Sequence, residues 1–291
     1  MSKAKVYFTK EITPQSLIKI YEATGKKLSG RIGVKISTGE AGGHNYLKPE
    51  LIGDLVKKLS ADIVECNTAY AGRRNTLVEH LKVIEEHGFT KIAKVNIMDA
   101  QGEIEIPANG KHLDADIVGA AFKDYDAYVN LAHFKGHLMG GFGGVLKNQS
   151  IGFASPAGKA YIHTAGATCK VDELWNNLPA QNDFLESMAE AAKAVADYMH
   201  GNIVYIDVMN NLSIDCDCDS NPEAPCMADI GILSSLDPVA LDQACIDKIW
   251  SSSDKGRDHF IERVEKQNGR HILPYAESLG LGTREYELIE I

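Results

Sequence analysis

Residues 125–148 read YDAYVNLAHFKGHLMGGFGGVLKN and pass from an apolar run into a stretch of glycine, histidine and lysine. The run Tyr125–Phe134 is typical of a buried strand. The stretch 132–148 then holds five glycines, two histidines and two lysines. Glycines at this density let the backbone approach a ligand closely and leave N–H groups for an anion. A strand that ends in such a loop predicts a ligand site, and the alternative is a turn with solvated side chains.

Strand-like and helix-like segments alternate on both sides of this stretch. We expect strands at 6–8, 31–37, 62–66, 91–98, 122–134, 202–208 and 230–234, with an edge hairpin at 103–112. Helices are expected at 13–24, 49–59, 75–88, 182–200, 238–251 and 257–269, the first with Thr13 as N-cap and Pro14 at its first position. Repeated βα units predict an α/β fold, a mostly parallel sheet flanked by helices in Rossmann-like layers. No low-complexity linker divides the chain, so a single domain over 1–291 with an irregular middle is expected.

Composition excludes several classes of protein. The formal net charge of −10 argues against sequence-independent nucleic-acid binding, which needs clustered lysine and arginine. The sequence has no apolar run near the ~20 residues of a membrane span, and its first residues do not resemble a signal peptide. We therefore expect a cytoplasmic protein without membrane or nucleic-acid partners. Its six cysteines are expected to be thiols or metal ligands rather than disulfides.

Three loops follow predicted strands and are rich in charge and glycine, at 37–45, 67–75 and 133–147. Because ligands bind beyond the carboxyl ends of strands in open α/β sheets, we expect these loops to share one crevice. His137 suits a general base or ligand, Lys147 an anion partner or covalent nucleophile, and His163 a fixed ligand. Further candidates for binding a carboxylate or phosphate lie in the same loops: Arg73, Arg74, His133, Lys135, Gly143 and Gly144.

A second cluster is the acidic thiol loop DCDCDSNPEAPC at 215–226. Cys216, Cys218 and Cys226 fall in a segment whose prolines oppose a helix. Soft thiolates suit zinc, iron or an iron–sulfur cluster, with a further ligand from elsewhere, for which Cys169 is a candidate. The alternative is an acidic surface loop with free thiols. Cys66 and Cys245 lie in apolar contexts and are expected in the core.

Several motifs resemble the DUF362 family: FKGH at 134–137, GGFGGVLKN at 140–148, ASPAGK at 154–159, DCDC at 215–218, DIGIL at 229–233 and DPVALD at 237–242. The resemblance extends over nearly the whole chain. It implies a family of poorly defined function, of which many members carry an appended ferredoxin-type domain. This sequence lacks the repeated Cys-x-x-Cys pattern of such a domain, so none is expected within the single domain 1–291.

A more distant resemblance is chemically more specific. His137, Lys147 and His163 are spaced ten and sixteen residues apart, which resembles the active-site run of the nickel-pincer lactate racemase family. The resemblance implies that His137 transfers protons, that Lys147 holds a pyridinium-derived cofactor and that His163 binds the metal. Where that family has a Thr-His-Arg loop with a second base, this chain has Gly72-Arg73-Arg74. We therefore expect a shared pocket rather than a shared reaction.

Two functions follow as hypotheses. The first is a metal-binding enzyme, isomerase-like, racemase-like or redox, that acts on a small anionic molecule with histidine and lysine chemistry. The second is an iron–sulfur or metal-handling protein that transfers electrons to a redox partner protein. A pure binding module is disfavoured because the chain has two reactive clusters.

Overall fold

The computed structural model describes residues 3–291. Twelve strands occur in this part of the chain: β1 Ala4–Thr9, β2 Ile32–Lys35, β3 Asp62–Glu65, β4 Val95–Ile97, β5 Glu103–Pro107, β6 Ala115–Gly119, β7 Ala127–His133, β8 Lys135–His137, β9 Gly141–Gly143, β10 Ile203–Met209, β11 Gly231–Ser235 and β12 Tyr286–Glu290.

Nine α-helices accompany them over the same residues: α1 Pro14–Ala23, α2 Pro49–Lys58, α3 Leu77–Glu86, α4 Val145–Phe153, α5 Pro156–His163, α6 Gln181–Met199, α7 Pro238–Trp250, α8 Arg257–Lys266 and α9 Ile272–Ser278. None of these helices has the length and apolarity needed to cross a bilayer.

Eight strands form one sheet in the order β12-β1-β11-β10-β7-β2-β3-β4. All neighbours pair in parallel except β11, which is antiparallel to both β1 and β10. The predicted α/β fold with a mostly parallel sheet is therefore confirmed. Strand β7 is buried on both faces, with Tyr128 and Ala132 in one hydrophobic cluster and Val129 and Leu131 in the other. Central parallel strands are apolar on both faces, because helices cover both faces of the sheet.

Capping and turn residues in the sequence predict most boundaries of the helices and strands well. Thr13 caps α1 as predicted, and it forms a reciprocal capping box with Ser16. The strand expected at 91–98 is shorter, because 89–91 forms a 3₁₀ turn. The expected hairpin at 103–112 is displaced, since β5 pairs with β6 further along the chain. The intervening turn is held by Glu190, whose carboxylate accepts the N–H groups of residues 111–113.

The predicted irregular middle is instead regular. The glycine-rich stretch forms the short hairpin β8–β9 and leads directly into α4 and α5. Helix α4 has no exposed face, so it lacks the apolar period that reveals a surface helix. Its polar residues are satisfied internally: the Asn148 amide donates to the Lys35 carbonyl oxygen, and the Gln149 amide donates to the Ala192 carbonyl oxygen.

The beginning of α4 is capped from outside the helix. The carboxylate of Asp242, on α7, accepts the N–H groups of Val145 and Leu146 at 2.9 and 3.1 Å. Gly144 lies directly against this carboxylate, because a Cβ at that position would be 2.3 Å from Asp242 Oδ1. A side chain at Gly144 would therefore displace the cap.

We predict that Gly144→Ala lowers the free energy of unfolding by roughly 1–3 kcal/mol, because the new methyl group overpacks the Asp242 carboxylate. Gly143→Ala is the matched control, since a Cβ there meets only side-chain carbons at 3.6 and 3.8 Å. Urea unfolding of both variants measures the difference. Equal losses of stability in the two variants would contradict this account of the cap.

Candidate functional site

A cavity of about 680 Å³ opens at the carboxyl ends of the neighbouring parallel strands β7, β2 and β3. The loop after β2 contributes residues 40–41, the loop after β3 contributes 70–73, and the region after β7 contributes 137–139, Lys147 and Ile151. The thiol loop closes another side with Cys216 and Cys218, and His163 and Trp175 complete the lining. The structure therefore brings His137, Lys147, His163 and Arg73 to one cavity.

Asp217 fixes the thiol loop against the end of β7. Its buried carboxylate accepts hydrogen bonds from His133 Nδ1 at 2.8 Å and Lys135 Nζ at 2.9 Å. Burial alone would raise the pKa of Asp217, but these two cationic partners hold it well below its ordinary value. The backbone oxygen of Asp217 also accepts the Glu40 N–H, which ties the loop to the segment after β2.

Cys216 and Cys218 flank this anchor and face the cavity together. Their sulfurs and a ring nitrogen of His137 all lie within 4.8 Å of one another. The Cys218 backbone N–H donates to Cys216 Sγ at 3.3 Å, and Lys147 Nζ lies 3.8 Å from the same sulfur. The pKa of the Cys216 thiol falls well below its usual value, because the Cys218 thiol, Lys147 and His137 outweigh burial. The group offers a thiolate to a metal ion or an electrophile.

The ring of His137 is oriented by the main chain of its own hairpin. Nδ1 accepts the N–H groups of Met139 at 3.2 Å and Gly140 at 2.9 Å. The neutral ring therefore carries its proton on Nε2. Burial further lowers the pKa of this imidazole and keeps it neutral. His137 is accordingly a hydrogen-bond donor to the cavity in this tautomer. Its predicted role as base or metal ligand needs a lone pair on Nε2 and stays a prediction, with Cys216 and Cys218 as the neighbours that could share a metal ion.

His163 has the opposite tautomer. Its Nδ1 lies 2.7 Å from the Lys159 carbonyl oxygen, to which it donates. The lone pair is then on Nε2, for which the described part of the chain provides no hydrogen-bond partner. Burial lowers the pKa of His163 to about 4, and the ring stacks on Phe184. A neutral imidazole held this way suits a base or a metal ligand.

Lys147 is the lysine of this cavity that no carboxylate of the described residues neutralises. Within residues 3–291, its ammonium contacts Cys216 Sγ and makes no ion pair with a carboxylate. It lies on the first turn of α4, whose position the Asp242 cap fixes. An ammonium in such a pocket favours a carboxylate or phosphate of the ligand.

The two arginines predicted to bind an anion are already paired. Arg73 lines the cavity, but its guanidinium forms ion pairs with Glu79 at 3.1 Å and Glu86 at 2.8 Å. Arg74 is buried between Glu40 and Glu65, at 3.4 and 3.2 Å. Their role as an anion receptor is therefore not supported, because both guanidinium groups already neutralise protein carboxylates.

The remaining anion-binding predictions also need correction. His133 and Lys135 are buried on Asp217, and His133 Nε2 donates to the Asn210 carbonyl oxygen. The N–H groups of Val145 and Leu146, the two residues after Gly144, donate to Asp242 instead of to a ligand. Gly144 allows the close approach of this carboxylate, which belongs to the protein.

The cysteines separate into distinct environments. Cys226 does not join the pair at the cavity, because its thiol donates to the Leu212 carbonyl oxygen 3.3 Å away. Cys169 is exposed and does not line the cavity. Cys66 and Cys245 are buried in the core, as predicted.

Three important residues were not singled out from the sequence. Asp217 and Asp242 are buried carboxyl groups that hold the thiol loop and the start of α4, and Tyr70 lines the cavity. Asp217 lies between the two cysteines in DCDC, so the alternation of thiols and carboxylates was its only local signal. Asp242 occupies the middle of a helix, where an aspartate that faces the core is a detectable anomaly.

Comparison with known proteins establishes the family. The family described as "Domain of unknown function (DUF362)" matches residues 32–247. The chain belongs to this family, as the motifs in its sequence indicated. A search of curated proteins gives no match.

Solved structures give more distant likenesses. The lactate racemase apoprotein from Thermoanaerobacterium thermosaccharolyticum is 12% identical, with a TM-score of 0.42 over 69% of this chain and 50% of that one. A structural-genomics protein from Thermotoga maritima is 13% identical, with a TM-score of 0.43 over 87% of this chain and 56% of that one. The chain spans about half the length of these two structures, and likenesses of this size carry no information about activity.

We predict that ¹⁵N-histidine NMR at neutral pH finds opposite tautomers in the cavity, with the proton on Nε2 in His137 and on Nδ1 in His163. The variants His137→Gln and His163→Gln assign the signals, because each removes one. Because its pKa is lowered to about 4, His163 should remain neutral as the pH falls from 8 to 5. Two rings with the same tautomer would refute the assignment of donor and acceptor.

Proposed function

We propose that this member of the DUF362 family is an enzyme that binds a small carboxylate or phosphate anion in the cavity and moves a proton on it. A soft metal ion held by Cys216 and Cys218 is part of the proposed site. The observation that carries the proposal is the combination of an acceptor His163, a donor His137 and the Lys147 ammonium around one cavity.

Lys147 is the proposed binding group for the anion. Three other cations near the cavity are bound to carboxylates: Arg73, Arg74 and Lys135. A ligand carboxylate or phosphate would therefore be directed to Lys147. Because the ammonium is half-buried, its attraction for an anion is screened less than that of an exposed lysine.

The two histidines divide the acid and base roles. Nε2 of His163 accepts a proton from the bound substrate, and Nε2–H of His137 donates a hydrogen bond to the oxygen on which negative charge develops. The racemase family has its second base in the loop that holds residue 73 here. Residue 73 is an arginine that forms ion pairs with Glu79 and Glu86. The site therefore supports proton transfer by one base and does not support a symmetrical two-base racemisation.

The two cysteines fit a soft metal ion. Two sulfurs on one tetrahedral ion, at about 2.3 Å each, lie roughly 3.8 Å apart, within the 4.8 Å that bounds the Cys216–Cys218 pair. His137 fits less well as a third ligand, because its Nδ1 accepts two N–H groups and leaves the proton on Nε2. When bound, the ion would act as a Lewis acid toward a substrate oxygen. A nickel-pincer cofactor held by Lys147 remains an expectation from the sequence resemblance alone.

The alternative function, electron transfer by an iron–sulfur cluster, has less support. Cysteine-bound clusters take four thiolates, and within residues 3–291 the cavity receives only Cys216 and Cys218. Metal handling without catalysis would still use this pair of sulfurs. It would give no role to the acceptor nitrogen of His163 or to the Lys147 ammonium.

The test of catalysis is proton exchange. We predict that one or more members of a panel of 2-hydroxy- and 2-oxo-carboxylates exchange their carbon-bound proton with D₂O in the presence of the protein, as followed by NMR. His163→Gln should lower the exchange rate at least ~100-fold while binding persists, because the base is lost. Lys147→Gln should weaken binding at least ~10-fold, because the anion partner is lost.

Lys135→Gln is the matched control for Lys147→Gln. It should destabilise the fold by roughly 3 kcal/mol, since it removes one partner of buried Asp217. Lys147→Gln should change stability by less than ~0.5 kcal/mol. If Lys147→Gln unfolds the protein, or if His163→Gln exchanges at the rate of the unaltered chain, the proposed roles are wrong.

For the metal, we predict that anaerobically purified protein contains about one soft metal ion per chain, and that Cys216→Ser with Cys218→Ser loses it. Cys226→Ser should keep it, because that thiol lies apart. Elemental analysis measures the content, and an absorbance spectrum distinguishes a single ion from an iron–sulfur cluster. Metal retained in the double variant would remove the thiol pair from the site.

A further inference from the structure

We infer, on the basis of the proposed function, that the anion bound by this cavity is amphipathic: its charged head meets Lys147, and an extended hydrocarbon group lies between Leu138 and Trp175 at the mouth. The inference names a class of ligand, a carboxylate on an alkyl chain, beyond the small anion that the histidine and lysine chemistry alone requires.

Two large apolar side chains at the cavity are exposed. Leu138, in the turn of the β8–β9 hairpin, is 66% exposed, and Trp175, in the 3₁₀ turn at 171–176, is 53% exposed. A single exposed apolar side chain needs no explanation, but these two come from separate segments and line the same cavity. Exposed apolar surface beside a cavity is typical of a ligand-binding groove.

The reactive groups of the cavity are buried or half-buried, and the exposed polar residues of its lining, Asp219 and Ser220, belong to the thiol loop. His137, His163 and Cys216 are all less than 8% exposed, and Lys147 is half-buried. Because the reactive groups are buried and Leu138 and Trp175 are exposed, a bound molecule can place its charged group on Lys147 and a hydrocarbon group against the exposed apolar side chains. Ile151 is a buried apolar residue of the same lining.

The size of the cavity agrees with a ligand of this kind. Its volume of about 680 Å³ is in the range of sites that enclose ligands of drug size, ~300–1,000 Å³. A two- or three-carbon carboxylate would contact Lys147 and leave the walls near Leu138 and Trp175 uncovered. Burying those walls against a hydrocarbon chain adds apolar contact area, which favours the longer ligand.

The two tryptophans of the chain make a direct measurement possible. Trp250 lies outside the cavity lining, near Arg270, so Trp250→Phe leaves Trp175 as the sole reporter. This variant is titrated with propanoate, hexanoate, octanoate and decanoate, and with the alcohols of the same lengths. We expect saturable changes in Trp175 fluorescence with the acids and an affinity that rises about fourfold per added methylene until the chain fills the mouth.

Substitutions at the mouth test the apolar contact, with calorimetry as the readout. Leu138→Ser and Trp175→Ser should each reduce the gain in affinity per methylene, so decanoate should lose more affinity than propanoate. Leu178→Ser is the matched control, because Leu178 is exposed near Trp175 but does not line the cavity. It should behave as the unaltered chain.

The outcomes separate this inference from the proposed function. Equal affinity for all four acids, with Lys147→Gln still weakening each, would overturn the amphipathic ligand and leave the anion site standing. Equal affinity for acids and alcohols would overturn the anion site itself. If Leu138→Ser and Trp175→Ser alter the sedimentation coefficient and not the chain-length series, the mouth is a contact between copies of the chain, and the inference is wrong.

Discussion

The site depends on one buried carboxylate, that of Asp217. It draws two cationic groups, His133 and Lys135, from the end of the central strand β7, and so fixes the thiol loop beside the glycine-rich hairpin. Cys216 and Cys218 flank this anchor and therefore reach the cavity as a pair. Without a paired partner, a buried charge of either sign would be strongly destabilising, so anion and cations fix each other's position.

A second principle of the site is that most of its charges are neutralised within the protein. Arg73, Arg74 and Lys135 meet glutamates or Asp217, and the N–H groups at the start of α4 meet Asp242. The Lys147 ammonium has no carboxylate partner among the described residues, and it lies beside Cys216 Sγ in a lining that also holds two neutral histidines. Because Asp215 and Asp219 also line the cavity, an anion is favoured near Lys147 and not throughout the cavity.

The main chain sets the chemistry of the two histidines. Backbone N–H groups of the β8–β9 hairpin take up the lone pair of His137 Nδ1, and a helix carbonyl takes up the proton of His163 Nδ1. Two identical side chains therefore present a donor and an acceptor to the same cavity. Exposed Leu138 and Trp175 add apolar surface to the same lining.

The sequence by itself determined the α/β fold, because strand and helix periods depend on residues close together in the chain. It also placed His137 and Lys147 after a strand end, where ligands of such folds bind. It did not reveal α4, which is buried on all sides and has no amphipathic period. Nor did it show that Arg73 and Lys135 are occupied, that Cys226 lies apart, or which histidine nitrogen carries the proton. Only the tertiary structure decided these, since the availability of a charge, a thiol or a lone pair depends on partners that the fold brings from distant parts of the chain.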